Sequence, residues 1–214
     1  MEWFLNKDGF TVIESIISII QANKDYLSRI DGAIGDGDHG INMNKGFTIV
    51  SQRIDGSCSL SSGFEKIANV LMMEIGGSMG PIYGTFFEEL SGKSAQHEVI
   101  DKNIFGEMMS SATDSLVGLC EAQKGDKTLI DTLVPAVSDF RGVVREGGTF
   151  EEALQAMVKG AEEGRDSTIN LIARKGRSSR LGERSKGVLD AGAVSCYLIL
   201  EAMANSISKI LRNS

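Results

Sequence analysis

Apolar residues recur along this chain at the spacing of one helix face, and nowhere do they alternate for long enough to build a sheet. Ile13, Ile16, Ile17 and Ile20 share one face, with Asp8 or Thr11 in place to cap it. Residues 103–120 repeat the pattern with Ile104, Met108, Met109, Ala112, Leu116 and Leu119. Ser62-x-x-Glu65 reads as a capping box before KIANVLMM, and Thr149-x-x-Glu152 as another before ALQAMVKGAEEG. GAVSCYLILEAMANSISKIL closes the chain as a long, mostly apolar helix. The period predicts an all-α fold of roughly seven to nine helices. There is no internal repeat or low-complexity linker, so residues 1–214 read as a single domain with room for a sizeable core.

Charge and cysteine content narrow the function classes. A formal net charge of −7 argues against a general nucleic-acid binder and against an acidic membrane surface as partner. Cys58, Cys120 and Cys196 are odd in number and widely spaced, which gives neither a disulfide framework nor a zinc pair. A reduced, cytoplasmic setting is expected. MEWFLNKDGF has no basic region leading into an apolar core, so no secretory signal is read there. VIESIISIIQ is interrupted by Glu14 and serines and is too short to span a bilayer.

Four glycine-rich or charged segments interrupt the helical pattern: 31–46, 76–87, 124–128 and 173–193. Up-and-down helices would bring some of these loops to a common end, and function concentrates on such loops. In DGAIGDGDHG, residues 31–40, the carboxylates of Asp31, Asp36 and Asp38 share a stretch with four glycines. Glycine lets the backbone turn these side chains toward one point, where they repel unless a cation neutralises them. Oxygen donors with no cysteine nearby suit a hard divalent ion, Mg²⁺ or Ca²⁺. An EF-hand loop fails on count: from Asp36 the fifth position is Gly40 and the twelfth is Phe47. Mg²⁺ completed by a phosphate ligand fits better. Spacing alone also allows a solvated Asp-Gly turn. His39 reads as a metal ligand, a base, a phosphate contact or a loop histidine bonded to backbone. Asn42 and Asn44 would contact a nucleotide or cap the following helix.

The other loops are weaker alone. GGSMGP places Ser78 and Met79 among glycines, with Pro81 at a first helical position, where backbone amides can meet an anion or simply turn a tight corner. It matches neither a Walker A loop nor G-x-G-x-x-G. KGDKT resembles only the tail of a Walker A loop, so Lys127 and Thr128 receive no role from it, and Thr128 or Asp126 reads as a cap. Residues 174–186 carry Arg174, Lys175, Arg177, Arg180, Arg184 and Lys186 against Glu183 alone. Phosphate binding, a nucleic-acid patch and a solvated face all remain open, with no interleaved aromatic to favour the second. Asp190 reads as the N-cap of the last helix.

Taken in order, IGDGDHGINMNKGF, GGSMGPIYGTFF, GDKTLIDTLVPAV and RKGRSSRLGERSKGVLDAGA resemble the L subunit of dihydroxyacetone kinase, from about residue 8 to the C-terminus. The resemblance implies an antiparallel barrel of about eight helices with nucleotide-binding loops at one end. It implies that Asp31, Asp36 and Asp38 hold two Mg²⁺ ions bridging the phosphates of ADP or ATP. It also carries nucleotide contacts onto His39, Asn42, Ser78, Met79, Leu129, Arg177, Asp190 and Gly192. Such a subunit is a phosphotransferase component that needs a separate K-type subunit holding the ketose. In one version of the family a phosphohistidine protein recharges the bound ADP; in another, free ATP is used. The family usually has Gly-Gly-Ala-Ser-Gly-Pro and Asp-Pro-Gly where this chain has Met79 in place of serine and Ala191 in place of proline. Two other readings stay open: a non-catalytic nucleotide-binding module that engages a transcription regulator, and a nucleotide domain of the fatty-acid-kinase type.

Overall fold

The computed structural model describes residues 2–213. Among them are nine α-helices: α1 (Phe10–Ala22), α2 (Lys24–Ile34), α3 (His39–Ser51), α4 (Leu60–Glu74), α5 (Met79–Ser94), α6 (Lys102–Cys120), α7 (Leu129–Arg145), α8 (Phe150–Ser167) and α9 (Ala191–Asn213). The all-α expectation holds. Eight of them close a ring. From α3 each helix packs on the next through α9, α9 packs back on α1, and α1 packs on α3. From α3 to α8 the connections are short, as suits antiparallel sequential neighbours, while the long 168–190 segment joins α8 to α9. α2 packs against α3 and α9 beside the ring.

The apolar stripes read from sequence face inward. Ile13, Ile16 and Ile20 are fully buried, as are Met108, Met109, Ala112 and Leu116. Two aromatic clusters fill the barrel. Phe64, Phe86 and Phe47 surround Phe87, while Phe105, Phe140 and Phe150 join α6, α7 and α8. α9 is long and apolar enough to cross a membrane by length and composition alone, but 67% of that stretch is buried in the barrel, so it serves as a core helix. Close helix contact is set by glycine on α8. A Cβ at Gly164 would sit 2.2 Å from the Asp131 carbonyl oxygen and one at Gly160 3.0 Å from that of Pro135.

Several local expectations are corrected. Strands β1 (Trp3–Leu5) and β2 (Val99–Asp101) pair antiparallel, with Phe4 opposite Ile100. Three residues are too few for alternation to show in sequence, yet the pair buries both of those side chains. Neither Asp8 nor Thr11 caps α1; Gly9 precedes it without a side-chain bond. The Ser62 box fails because α4 begins earlier, where the Ser59 hydroxyl accepts from the Ser62 amide. The Thr149 box is present in full. Leu119 is 50% exposed rather than core, since α6 ends beside it. Pro81 is the third residue of α5, still within the turn whose amides lack helical partners. Asn42 and Asn44 lie inside α3 and cap nothing, because Asp38 stands before its first residue.

Candidate functional site

The four interrupting segments line one recess of about 500 Å³. Its wall includes Asp31, Asp36, Asp38, His39, Asn42, Ser78, Met79, Leu129, Arg177, Asp190 and Gly192, so every residue to which the family resemblance carried a metal or nucleotide contact reaches the same cavity, whereas Asn44, Arg174 and Arg180 do not line it. Its chemistry is two-sided. Met79 and Ile82 of α5, Leu119 at the end of α6, Ala122, and Leu129 at the start of α7 supply apolar surface. The 31–38 turn and the basic segment, with Lys175 and Arg177, supply charge.

The acidic turn is built by close backbone approach. α2 carries Asp31, and the chain reverses at once: the Gly35 amide donates to the Asp31 carbonyl at 2.6 Å. A Cβ on Gly35 would meet the Asp31 carboxylate at 2.6 Å, and Gly37 adopts φ +76°, so the turn needs glycine at both places. One oxygen from each of Asp31, Asp36 and Asp38 then lies within 4.8 Å of the others. Three anionic oxygens this close form a donor set suited to a hard divalent cation. Here Arg177 pairs with Asp36, and its Nη1 lies 3.9 Å from Asp38. A cation therefore already faces these carboxylates, which fits the reading that the cluster calls for positive charge.

His39 is held by Asp31 and by two groups the sequence reading left out, Ser195 and, through it, Tyr83. Its Nε2 lies 2.8 Å from the Ser195 hydroxyl, and Ser195 lies 2.6 Å from the Tyr83 hydroxyl. The His39 amide donates to Asp31 at 3.4 Å. Burial pushes the imidazole down to about 4 against the pull of Asp31, so the ring is neutral at pH 7. Burial also pushes the Tyr83 hydroxyl well above its ordinary range. This chain of contacts ties α3, α5 and α9 together behind the recess. Ser195 sits within the apolar-looking stretch GAVSCYLIL, and Tyr83 is four residues past Met79; helix phase alone hinted at either.

Asp190 caps α9 as expected, its carboxylate accepting from the Ala193 amide at 2.8 Å. Though only partly covered, it is crowded enough that burial pushes its carboxyl up to about 6, against the Ala193 amide and Lys127. Thr128 caps α7 in a full box with Asp131. The basic segment forms a strap, residues 172–187, with 3₁₀ turns over Arg177–Ser185 that kink at Gly182.

The family model described as the DAK2 domain matches residues 33–205. The chain belongs to the DAK2-domain family. Among its relatives, the "PEP-dependent dihydroxyacetone kinase, ADP-binding subunit DhaL" of Escherichia coli is 34% identical over 87% of this chain and 90% of that protein. The "PTS-dependent dihydroxyacetone kinase, ADP-binding subunit DhaL" of Lactococcus lactis is 34% identical over 88% and 91%. The solved dihydroxyacetone kinase of C. freundii, in complex with AMP-PNP and Mg²⁺, superposes with TM-score 0.66 and 20% identity, over 95% of this chain. This chain spans 35% of that one, and at such identity the likeness concerns the fold. Two positions depart from the pattern expected of the DAK2 family. Met79 is buried as the first residue of α5, and Ala191 is buried as the first residue of α9, where a proline also fits because that amide needs no helical partner.

Proposed function

We propose that this chain is the nucleotide-binding subunit of a dihydroxyacetone, or related ketose, kinase. On this reading residues 1–214 act as one DAK2-type domain in the cytoplasm. The observation that carries it is convergence: eleven residues from separate loops and the helix ends beside them meet on one recess with an acidic trio on one side and apolar surface on the other. Such a lining matches a Mg-nucleotide, with the base against Met79, Leu119 and Leu129 and the phosphates toward the charged turn.

Asp31, Asp36 and Asp38 would hold two Mg²⁺ ions. When bound, Mg²⁺ neutralises phosphate charge and polarises the phosphoryl group. The chain's own residues do the rest. Arg177 leaves the carboxylates to offset charge on the phosphates, and Lys175 adds to it. Neutral His39, fixed by Ser195, offers a nitrogen without adding charge. Asp190 and the start of α9 orient the neighbouring Gly192 backbone. Phosphoryl transfer asks for positioning and charge neutralisation rather than a protein nucleophile. The attacking hydroxyl belongs to a ketose on a K-type partner. The E. coli and L. lactis relatives carry PEP- or PTS-dependence in their names, which supports recharging of bound ADP by a phosphohistidine protein.

Two measurements test this. Extraction of the heat-denatured protein should release ADP or ATP, or the emptied protein should take up Mg-ADP on titration; if no nucleotide is released and none is taken up, the reading fails. Phosphoryl transfer to a ketose with the K-type protein added should then occur. Nucleotide binding without transfer would favour the regulatory module instead.

A further inference from the structure

Lys127 breaks two local rules at once. It is 2% exposed, although a buried ammonium is costly. It also sits at φ +62°, in the left-handed region that side chains other than glycine and asparagine seldom occupy. Both costs persist only where the surroundings over-determine them.

The surroundings are specific. Lys127 Nζ donates to the carbonyls of Thr168 and Val188, each at 2.6 Å, and of Leu171 at 3.3 Å. An ammonium has three donors, so all are used. Burial lowers its pKa, while Asp190 and Asp131 raise it. The turn carrying Lys127 is itself braced, since Asp131 accepts from the Gly125 amide at 2.6 Å and the Thr128 amide at 2.8 Å.

The three carbonyls share a location. Thr168 and Leu171 lie just before the basic strap, and Val188 lies just after it. One ammonium therefore holds both feet of the strap against the start of α7. Other bonds close the same junction: the Gly187 amide donates to Ile169 at 2.8 Å, and the Arg174 amide to Asp126 at 3.0 Å. Between the feet the strap has φ-positive Gly176 and Gly182, packs against α2, and reaches the carboxylates of the acidic turn through Arg177.

We propose that Lys127 is a positioning residue: it staples the two ends of the 172–187 strap so that Arg177 is held over the acidic turn. This rests on the Mg-nucleotide reading of the recess only for its consequence, not for the staple itself. Lys127 also lines the recess, but its three donors are taken by carbonyls, so on this proposal it acts on the ligand through Arg177 rather than by its own charge.

Limited trypsinolysis of the full chain reads the strap directly, because Arg174, Lys175, Arg177, Arg180, Arg184 and Lys186 are its cleavage sites. In Lys127→Met, which keeps the apolar stem and removes the donors, cleavage within 174–186 should rise about ten-fold while sites within the helices hold. Strap cleavage at the wild-type rate overturns the proposal. Titration with Mg-ADP gives a second reading. Lys127→Met and Arg177→Ala should each weaken binding about ten-fold, and the double variant no more than Arg177→Ala alone. Losses that multiply would show Lys127 acting independently of Arg177 and would overturn the positioning role. If Lys127→Met does not fold, Lys127→Gln, which still donates two bonds, carries the same comparisons with a smaller increase in strap cleavage. A wild-type protein that takes no Mg-ADP would defeat the reading of the recess, while the trypsin comparison would still decide the staple.

Discussion

Asp36 and Asp190 are both carboxylates in the same recess, but their surroundings differ. Asp36 is exposed beside Asp31 and Asp38 and faces Arg177. Asp36→Asn should abolish Mg-dependent ADP binding in a calorimetric titration and leave the far-ultraviolet helical signal unchanged, because the side chain supports no core contact. Asp190 is crowded, and burial raises its carboxyl to about 6. A raised folded pKa means that folding favours the protonated form. Its contribution is present below the ordinary value near 3.8 and is lost as pH rises through about 6. In wild type this costs at most about 3 kcal/mol at neutral pH, less what its partial exposure screens. Asp190→Asn keeps an acceptor for the Ala193 amide, so its denaturation midpoints should match wild type near pH 4 and exceed it near pH 8. Equal pH profiles would refute the assignment. At this scale the sequence was informative where chemistry is local. Asp31, Asp36 and Asp38 announce themselves by spacing, whereas Ser195 and Tyr83 matter only because α5 and α9 bring them to His39.

Helix α8 shows what an element's surface encodes. Gly160 and Gly164 lie one turn apart and let α8 settle onto the backbone of α7 around Pro135. In sequence the pair looks like weak helix, since glycine costs helix stability. In the barrel, the added Cβ of Gly164→Ala would meet backbone that cannot yield, so this variant should lose about 1–3 kcal/mol in chemical denaturation. Gly142 on α7 is the control: nothing lies within 4 Å of its added Cβ. Gly142→Ala should gain about 0.5–1 kcal/mol. Element existence was legible because 3.6-residue periodicity survives burial, as in α1, α6 and α9. Boundaries were less so. Ser59 rather than Ser62 starts α4 because two hydroxyls compete for the same end and sequence spacing does not rank them. β1 and β2 escaped because Trp3–Leu5 pairs with the distant Val99–Asp101 and each is three residues long.

Across the whole molecule the recess is assembled by loops from around the ring, so a ligand there should stabilise the barrel as one unit. At about 100 times its Kd, Mg-ADP should add about 2.7 kcal/mol, or about 5–10 °C in Tm for a domain of this size. Chelation with EDTA should remove the shift, as should Asp36→Asn; a shift indifferent to metal would separate nucleotide binding from the acidic trio. The sequence by itself determined the all-α class, the helix faces and the residues whose chemistry is carried by near neighbours, because periodicity and motif spacing are properties of short stretches. Tertiary structure alone decided which loops share an end, the Tyr83–Ser195–His39 contacts, and the place of Lys127. KGDKT reads as a solvated turn when its neighbours in sequence are the only ones considered. The carbonyls of Thr168, Leu171 and Val188 lie more than forty residues away, and only the closed ring brings them to that ammonium.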